Sequence, residues 1–324
     1  REWTPAEWPA EQLRKPYCAQ VGGVNFNHNT VKIKVKPTSN TVVVSDMQPP
    51  YSGVILKNTL KRANRKKKLG INPQRTQGTN TIRLSGNVPV PNQASIEVTI
   101  DNPPLQFGTL LADRLRRIGI AVSTVRLAAA TDPPATGKPI APPIQTELAD
   151  VLRRCNHESE NMFGEALLKR IAYQTTHRSG TRAAGSRIVT GLVETRAGSA
   201  DGLQVADGSG MSSHNRISAR TMTSWLCSFD PAIPNETLFI ESLSLHNQGN
   251  VQKRLSSLNP HGTTVRVKSG FISKVYTLAG YVECPVGRRV SFSIMINTPT
   301  TRLTWALRRG LLQVIINHAC LSAQ

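Results

Sequence analysis

The residues best suited to chemistry lie in the stretch VRVKSGFISKVYTLAGYV, which begins at Val265. Alternation along a strand places Val265 and Val267 on one face and Lys268 on the opposite face. Ser269 and Gly270 follow with small side chains. We therefore predict that Lys268 presents an ammonium at the end of a strand, at a sheet edge that the backbone of a ligand can approach closely.

Several other catalytic and metal-binding patterns are missing from the sequence. It contains neither the G-x-x-x-x-G-K-[ST] phosphate loop nor a G-x-G-x-x-G motif. Cys155 and His157 stand without a second pair of ligands, so we predict no metal site and no cofactor. DGSGMSSHN has a serine between two glycines, but Asp207 occupies the position where G-x-S-x-G requires glycine. This segment predicts a tight turn followed by a helix N-cap.

A second polar triplet, Ser159-Glu160-Asn161, stands where a helix is predicted to begin. Ser159 could simply cap that helix, because serine is a common N-cap residue. Lys268 could likewise be a solvated lysine at a strand end. The residues alone leave both structural interpretations open beside the functional ones.

The composition predicts a polyanionic partner without identifying it. The 324 residues include 40 Lys or Arg against 20 Asp or Glu, a formal net charge of +20. Such an excess favours nucleic acid, anionic lipid or an acidic wall polymer. Five dispersed cysteines without a Cys-x-x-Cys pair predict free thiols or one disulfide. No apolar run is long enough to span a membrane.

Short strands dominate the first third of the chain. NTVKIKVKP, TNTIRLSGNVPVP and ASIEVTIDNPP alternate between apolar and polar residues and are closed by Pro, Gly or Asn. A basic run, LKRANRKKKLG, separates the first two of these segments, and it predicts either a solvated loop or a phosphate-binding patch. Its cations are Lys61, Arg62, Arg65, Lys66, Lys67 and Lys68.

A helix and a proline-rich segment follow these strands. PPLQFGTLLADRLRRIGIAV has apolar residues at helical spacing. The predicted apolar face consists of Phe107, Leu110, Leu111 and Leu115. Residues 131–145, TDPPATGKPIAPPIQ, are predicted to be semi-extended and to mark a domain boundary. We therefore predict mostly β inserted structure over residues 1–145 and a second domain over residues 146–324.

The second domain is predicted to combine helices with an antiparallel meander. TELADVLRRCNHESENMFGEALLKRIAYQ indicates two helices that break at Asn156–Ser159, the first with Cys155 on its apolar stripe. Three alternating strands follow, with turns at Gly270–Lys274 and Pro285–Arg288. A last helix runs from Thr301 to about Cys320, and an antiparallel sheet covered by helices is an α+β fold. The apolar positions of the last helix include Leu303, Ala306, Leu312, Val314 and Ile315.

Three pieces of sequence, in order, resemble one enzyme family. HESENMFGEALLKR, DGSGMSSHNRIS and VKSGFISKVYTLAGYV are similar to motifs of the serine D-Ala-D-Ala carboxypeptidases of the low-molecular-mass class C penicillin-binding group. That group reads S-x-N, then DGSGLS, then K-[TS]-G followed by LAGY. WPAEQLRKPYCAQVGGVNFNHNTVKIKV and SIEVTIDNPPLQFGTLLADRLRRIGI resemble the borders of its inserted domains. The resemblance therefore covers nearly the whole chain.

The resemblance implies a fold and two catalytic groups. The fold is a penicillin-binding/β-lactamase-like transpeptidase domain of the α+β class, incomplete at its N-terminus and preceded by a mostly β inserted domain. Ser159 would relay a proton toward the leaving amine. Asn161 would hold the amide on the acyl side of the substrate. The second S-x-N, at Ser213-His214-Asn215, lies in the family's DGSGLS turn and is taken as a decoy.

The resemblance also implies a substrate-binding strand. Lys268 would supply the positive potential for the terminal carboxylate of the substrate, and the Ser269 hydroxyl would donate to that carboxylate. The backbone N–H of Phe271 would be an oxyanion donor. The substrate would add to the sheet edge as an antiparallel strand. The small Ser269-Gly270 pair would let the substrate backbone reach the sheet.

The nucleophile motif of the family has no counterpart here. No lysine of the chain has a serine three residues before it, so S-x-x-K is missing. In the family this motif precedes the inserted domains, and we expect a truncated sequence, with a natural pseudoenzyme as the alternative. The chain by itself is therefore predicted to form no acyl-enzyme.

Partners and location follow from the same resemblance. We expect peptidoglycan stem peptides as substrates, β-lactams as inhibitors, and a place in the periplasm or cell envelope reached through an export signal outside this chain. Membrane association and oligomeric state stay open. A non-catalytic peptidoglycan binder would use the same groove. A nucleic-acid binder is disfavoured, because no aromatic interleaving or recognisable module accompanies the charge.

Overall fold

Two units make up the chain, one for residues 1–142 and one for residues 143–324. The computed structural model describes residues 2–50, 53–129, 131–133, 136–300 and 304–320. The division between the units lies in the proline-rich segment. The assignment of residues 1–145 to an inserted domain and of residues 146–324 to a catalytic domain stays a prediction.

The first unit contains two three-stranded sheets and one long helix. The elements are β1 Thr30–Pro37, β2 Val42–Gln48, β3 Ile55–Ala63, β4 Gly70–Arg75, β5 Thr81–Pro89, β6 Ala94–Thr99 and α1 Pro103–Arg117. In one sheet β1 pairs antiparallel with β2 and β6, and in the other β5 pairs parallel with β3 and antiparallel with β4.

Alternating side chains build the core of this unit. Val31, Ile33 and Val35 of β1 are fully buried and pack in one cluster with Ile82 and Leu84 of β5. Each such side chain stabilises the fold by about 1.5–3 kcal/mol. The three strands predicted from the sequence are confirmed as β1, β5 and β6. The sequence analysis missed β2, β3 and β4, whose residues are mostly exposed or only partly buried.

Helix α1 corrects part of the predicted apolar face. Its N-cap, Asn102, accepts a hydrogen bond from the backbone N–H of Leu105. Leu110 is buried as predicted, but Leu111 is 48% exposed. One residue corresponds to about 100° around a helix, so the two leucines cannot share one narrow face.

The second unit contains a four-stranded antiparallel sheet with helices against both faces. The elements are α2 Leu148–Asn156, α3 Asn161–Thr176, α4 Arg182–Ala197, α5 Ala219–Cys227, α6 Pro234–Ser242, β7 Ser244–Leu245, α7 Gln252–Leu255, β8 Thr264–Ile272, β9 Val275–Glu283, β10 Arg289–Asn297 and α8 Thr304–Ala319. The strand order is β10-β9-β8-β7. The three long strands form the predicted meander, whereas α4, α6, α7 and the short β7 were not predicted.

The two faces of this sheet pack against different helices. Val265 and Val267 pack in one cluster with Leu312 of α8. On the opposite face, Tyr281 packs beside Leu226 of α5 and donates its hydroxyl hydrogen to the Leu226 carbonyl oxygen at 2.8 Å. The predicted α+β class is confirmed.

Helix α8 differs from its prediction at several positions. Leu312 is buried and Ile315 packs partly against the core as predicted, whereas Val314 is 54% exposed. Residues 301–303, and with them Leu303, lie outside the described residues. The predicted apolar position Ala306 is exposed, while Arg308 is 1% exposed. Arg308 is tolerated inside because its guanidinium covers a tryptophan ring and donates to backbone carbonyls.

One disulfide joins the end of β9 to the end of α8. Cys284 and Cys320 form this bond across 36 residues of sequence. Cys18, Cys155 and Cys227 form no disulfide. Of the two expectations for the cysteines, the structure therefore selects a single bridge.

Candidate active site

The Lys-Ser-Gly triplet lies inside strand β8 rather than at its end. The strand continues to Ile272, which pairs with Val275 of β9. Lys274 in the connecting turn has φ +64°, a conformation that closes tight hairpins. The predicted strand end at Lys268 is therefore wrong, because hairpin pairing extends the strand past the triplet.

Lys268 and Ser159 meet although they are 109 residues apart in sequence. The Lys268 Nζ donates to Ser159 Oγ at 2.6 Å and to the Ser269 carbonyl oxygen at 2.9 Å. The family resemblance gives both triplets roles in one reaction, and this contact shows that the structure brings them together. Lys268 is half-buried and Ser159 is exposed, so solvent can reach this pair of side chains.

Ser159 does not cap the helix that follows it. The N-cap of α3 is Glu160, and it makes no side-chain capping bond. Ser159 instead has φ +60°, in the left-handed region that non-glycine residues seldom adopt. Such strain persists where the surroundings hold it, and it is common at functional sites. The capping interpretation of Ser159 is therefore wrong.

The turn that carries Ser159 is held by contacts on both sides. Asn250 Nδ2 donates to the Glu158 carbonyl oxygen at 2.8 Å. The Glu160 backbone N–H donates to the Arg154 carbonyl oxygen at 3.1 Å. Arg153 forms an ion pair with the Glu158 side chain. These contacts offset the backbone strain and keep the hydroxyl facing Lys268.

The outer edge of β8 is open next to Lys268. The short strand β7 pairs only with Arg266 and Val267. The His246 N–H donates to the Val265 carbonyl oxygen, so the backbone groups of Val265 face this edge. In an antiparallel strand the backbone N–H and C=O groups of successive residues point to opposite edges. The N–H groups of Ser269 and Phe271 therefore point to the same edge as those of Val265. No described strand covers that part of β8.

Gly270 has a structural reason to lack a side chain. It pairs with Thr277 of β9, and an added β-carbon would overlap Thr277 Oγ1. A larger residue at this position would therefore force the Thr277 side chain to move, apart from any approach of a ligand. Phe271 is 64% exposed, and its ring lies 5.0 Å from the Tyr276 ring.

Asn161 begins α3, two residues after Ser159. Its side chain is partly buried. The structure therefore places Ser159, Asn161, Lys268, Ser269, Gly270 and Phe271 along one helix start and one strand of the same unit. Their catalytic and binding roles stay predictions.

Cys155 is a neighbour of Lys268 that the sequence analysis did not assign to the site. Burial raises the pKa of the Cys155 thiol, and the Lys268 cation opposes part of that increase. Burial in turn lowers the pKa of Lys268 from its ordinary value of 10.5, and Cys155 opposes part of that decrease. The apolar stripe on α2 could have located Cys155 on an inner face, but not beside a cation.

A loop packs against α3, the helix that follows Ser159. Glu165 of α3 is 1% exposed, and its Oε1 accepts from the backbone N–H groups of Gly208 and Ser209 at 2.9 and 3.1 Å. Gly164 and Gly208 also touch backbone to backbone, because a β-carbon on either one would overlap the other's carbonyl oxygen. The predicted turn at residues 207–215 is thereby fixed to the helix that Asn161 begins.

The second S-x-N triplet, Ser213-His214-Asn215, belongs to this loop and stabilises it. Asn215 Oδ1 accepts from the Ala206 N–H at 2.8 Å, and its Nδ2 donates to Asp207 Oδ1 at 2.7 Å. Asp207 Oδ2 accepts from the Ser212 N–H at 2.6 Å. Ser213-His214-Asn215 is therefore part of a self-bonded loop, and the helix N-cap that follows it is Ser218.

Replacing Glu165 tests how this loop is held. Burial raises the pKa of Glu165, and the Asp207 charge raises it further. A carboxyl with a raised pKa stabilises the fold below its ordinary pKa, and that contribution disappears as pH rises through the raised value. In the original chain the contribution of Glu165 to the free energy of unfolding should therefore decline above about pH 4.5. Glu165→Gln should remove that decline, because glutamine does not titrate. Glu165→Ala should destabilise by about 2–4 kcal/mol, because two partly buried N–H groups lose their acceptor.

Urea unfolding over this pH range measures both effects. Glu241→Gln replaces an exposed carboxylate of the same unit and is the matched control. We expect the control to keep the pH dependence of the original chain. An unchanged pH dependence in Glu165→Gln would contradict the assignment.

The described residues contain no group of three or more His, Cys, Asp or Glu placed to hold a metal ion. No helix within the described ranges is both long and apolar enough to cross a bilayer.

Comparison with known proteins identifies one family. The model of the D-Ala-D-Ala carboxypeptidase 3 (S13) family matches residues 2–309. The D-alanyl-D-alanine carboxypeptidase DacB of Haemophilus influenzae is 24% identical over 208 residues, which cover 64% of this chain and 43% of that protein. A D-alanyl-D-alanine carboxypeptidase of an Actinomadura species is 30% identical over 235 residues, which cover 69% of this chain and 42% of that protein. The chain thus spans less than half the length of these relatives.

Solved structures show the same fold. The crystal structure of penicillin binding protein 4 (dacB) from Haemophilus influenzae superposes with a TM-score of 0.80 at 18% identity, over 98% of this chain and 72% of that chain. The same protein complexed with a novel beta-lactam superposes with a TM-score of 0.71 at 19% identity, over 91% of this chain and 71% of that chain.

Proposed function

The chain belongs to the D-Ala-D-Ala carboxypeptidase 3 (S13) family, and we propose that its second unit carries the substrate-binding half of a serine D-Ala-D-Ala carboxypeptidase/endopeptidase that processes peptidoglycan. The observation that carries this proposal is the 2.6 Å contact from Lys268 to Ser159 beside an open strand edge. Such an arrangement joins a cation, a proton-relaying hydroxyl and the N–H groups of Ser269 and Phe271, which no described strand pairs. A peptide with a free C-terminus can use all three.

The substrate binds as an added strand along β8. Its backbone pairs with the outward groups of Ser269 and Phe271, as peptides do at open sheet edges. Its terminal carboxylate is attracted to the Lys268 ammonium and accepts from the Ser269 hydroxyl. The Phe271 N–H is an oxyanion donor for the scissile carbonyl, where negative charge develops during attack.

Proton transfer involves the Ser159 hydroxyl. Because Lys268 donates to its oxygen, the Ser159 hydrogen is free to point toward the leaving amine of the terminal D-alanine. Asn161 holds the amide on the acyl side. The attacking serine belongs to the S-x-x-K motif of the family, which is missing from the 324 residues. The acyl-enzyme step therefore requires a segment that this chain does not contain.

Two peptides test the proposed site. A stem peptide ending in a free D-Ala-D-Ala carboxylate should bind this chain at least tenfold more tightly than the same peptide with a C-terminal amide. A charge-assisted hydrogen bond contributes about 1.5–3 kcal/mol, which supports that ratio. Isothermal titration calorimetry measures both affinities. Equal affinities would contradict the carboxylate site.

Mass spectrometry with a β-lactam tests the chemistry. We expect no covalent adduct on this chain, and an adduct would mean that the nucleophile lies within it. The missing S-x-x-K also favours a second candidate, a non-catalytic peptidoglycan binder. A product of the complete gene that becomes covalently labelled supports the enzyme, whereas reversible binding alone supports the binder.

The proposed location of the protein is the cell envelope, outside the cytoplasmic membrane. The relatives are carboxypeptidases named for D-alanyl-D-alanine, a dipeptide of the bacterial wall. An exported, periplasmic location agrees with the disulfide between Cys284 and Cys320, because such bonds persist in oxidising compartments.

A further inference from the structure

A strongly cationic sheet face lies on the first unit. The fifty residues from Met47 to Ile96 contain nine Lys or Arg and no Asp or Glu. Arg75 is nearly buried and pairs with Asp101. The other eight cations are exposed, and none of them forms an ion pair within the part of the chain that the structure describes.

Strand register gathers three of these cations on the outward face. β3 pairs in parallel with β5 so that Lys57 stands beside Arg83. Leu60 is buried on the inner face, and alternation therefore turns Lys57 and Lys61 outward. Ile82 and Leu84 are buried likewise, which turns Arg83 outward. Lys57 and Lys61 are roughly 13 Å apart along the strand.

The turn after β3 extends this row of charge. It joins β3 to β4, which lies on the far side of β5, and therefore crosses the end of the sheet. The Lys67 N–H donates to the Asn64 carbonyl oxygen at 3.1 Å. All the basic side chains of the turn are exposed. We name the whole set the cationic band: Lys57, Lys61, Arg65, Lys66, Lys67, Lys68 and Arg83.

Uncompensated like charges at this density repel one another. A bound polyanion removes that repulsion and releases its own counterions, which is the main driving force of such binding. A single small anion would meet only part of the band. The extended track from β3 around the sheet end instead fits a linear partner with regularly repeated charges.

The residues of the band distinguish between polyanions. Residues 55–89 contain no Phe, Tyr, Trp or His, so nucleic-acid bases find no ring on which to stack. Asn72 pairs with Ser85 on the outward face, and its exposed side-chain amide can donate to a phosphate oxygen. Among residues 55–89 the large apolar side chains that are exposed are Ile55, at 59%, and Leu69, at 46%, and two separate side chains offer little apolar area for insertion into a bilayer.

We propose that the cationic band binds a linear polyphosphodiester without bases, the chemistry of an anionic wall polymer. The polymer lies along β3 and around the sheet end, with phosphates against the lysine and arginine side chains. This inference does not depend on the site in the second unit. It gives the first unit a function of its own, which is to hold the chain on an anionic wall.

Soluble polyglycerol phosphate is the probe. Its affinity for the whole chain, measured over a series of NaCl concentrations, should fall linearly on a log–log plot. The triple variant Lys57→Gln, Lys61→Gln, Arg83→Gln should bind at least tenfold more weakly at low salt. The slope of its log affinity against log salt concentration should be smaller in magnitude by about 2, because each of the three lost phosphate contacts of a single-stranded polyanion contributes about 0.7.

A second triple variant distinguishes binding by the cationic band from binding by the net charge of the chain. Arg178→Gln, Arg220→Gln and Lys253→Gln also replace three exposed cations, in the second unit. We expect less than a twofold change from it. Equal weakening by the two triples would assign binding to the net charge of +20 and overturn the proposal. Circular dichroism should show that both triple variants are folded.

Three other results would also overturn the proposal. One is no binding of polyglycerol phosphate to the original chain. The second is tighter binding of single-stranded DNA with the same number of phosphates, because bases would then contribute. The third is binding that occurs only on anionic lipid vesicles, because a membrane surface would then be the partner.

Discussion

Replacing Lys268 with methionine is expected to weaken binding of a D-Ala-D-Ala peptide to this chain by roughly 10- to 100-fold, because the carboxylate loses a charge-assisted interaction of about 1.5–3 kcal/mol. Methionine fills a similar volume without the charge. Because burial lowers the pKa of Lys268, affinity in the original chain should also begin to fall at a pH below 10.5. Calorimetric titration of the peptide measures both effects.

Lys274→Met is the matched control, since Lys274 is exposed in the turn of the same hairpin. It should leave the affinity within twofold. Alkylation of Cys155 adds a second readout, because Lys268 lowers the pKa of that thiol. In Lys268→Met the thiol should react more slowly at a fixed pH. Unchanged peptide affinity in Lys268→Met would remove this residue from the site.

Replacing Gly280 with alanine is expected to lower the free energy of unfolding by roughly 3 kcal/mol, from overpacking and backbone strain together. Gly280 of β9 pairs with Val267 of β8 and has φ +156°. An added β-carbon would overlap the Arg266 carbonyl oxygen and lie 2.9 Å from its carbon. The strands must separate there, one residue before Lys268.

Gly310→Ala is the control for this prediction. Gly310 lies in α8, and an added β-carbon would meet no atom within 4 Å. Alanine in a helix interior stabilises by about 0.5–1 kcal/mol relative to glycine. Urea unfolding followed by circular dichroism measures both variants. Equal stability of Gly280→Ala and the original chain would mean that the two strands are not so closely paired.

Much of the fold was predictable where burial alternates cleanly along the chain. β1, β5 and β8 each place buried side chains at every second position over part of their length, and these strands were predicted. β2, β3 and β4 were missed because few of their side chains are fully buried. Arg308 was unpredictable, because only the aromatic ring and carbonyl groups that surround it make its burial tolerable.

For the candidate site, the sequence by itself determined which residue types stand at Ser159 and Lys268, and their order matched a family pattern. Only the tertiary structure decided that the two side chains touch, that the triplet lies inside β8, and that Cys155 and Glu165 belong to the surroundings. The physical reason is that local periodicity reports which face of an element is buried. Contacts across 109 residues depend on how helices and strands pack, and no local pattern encodes them.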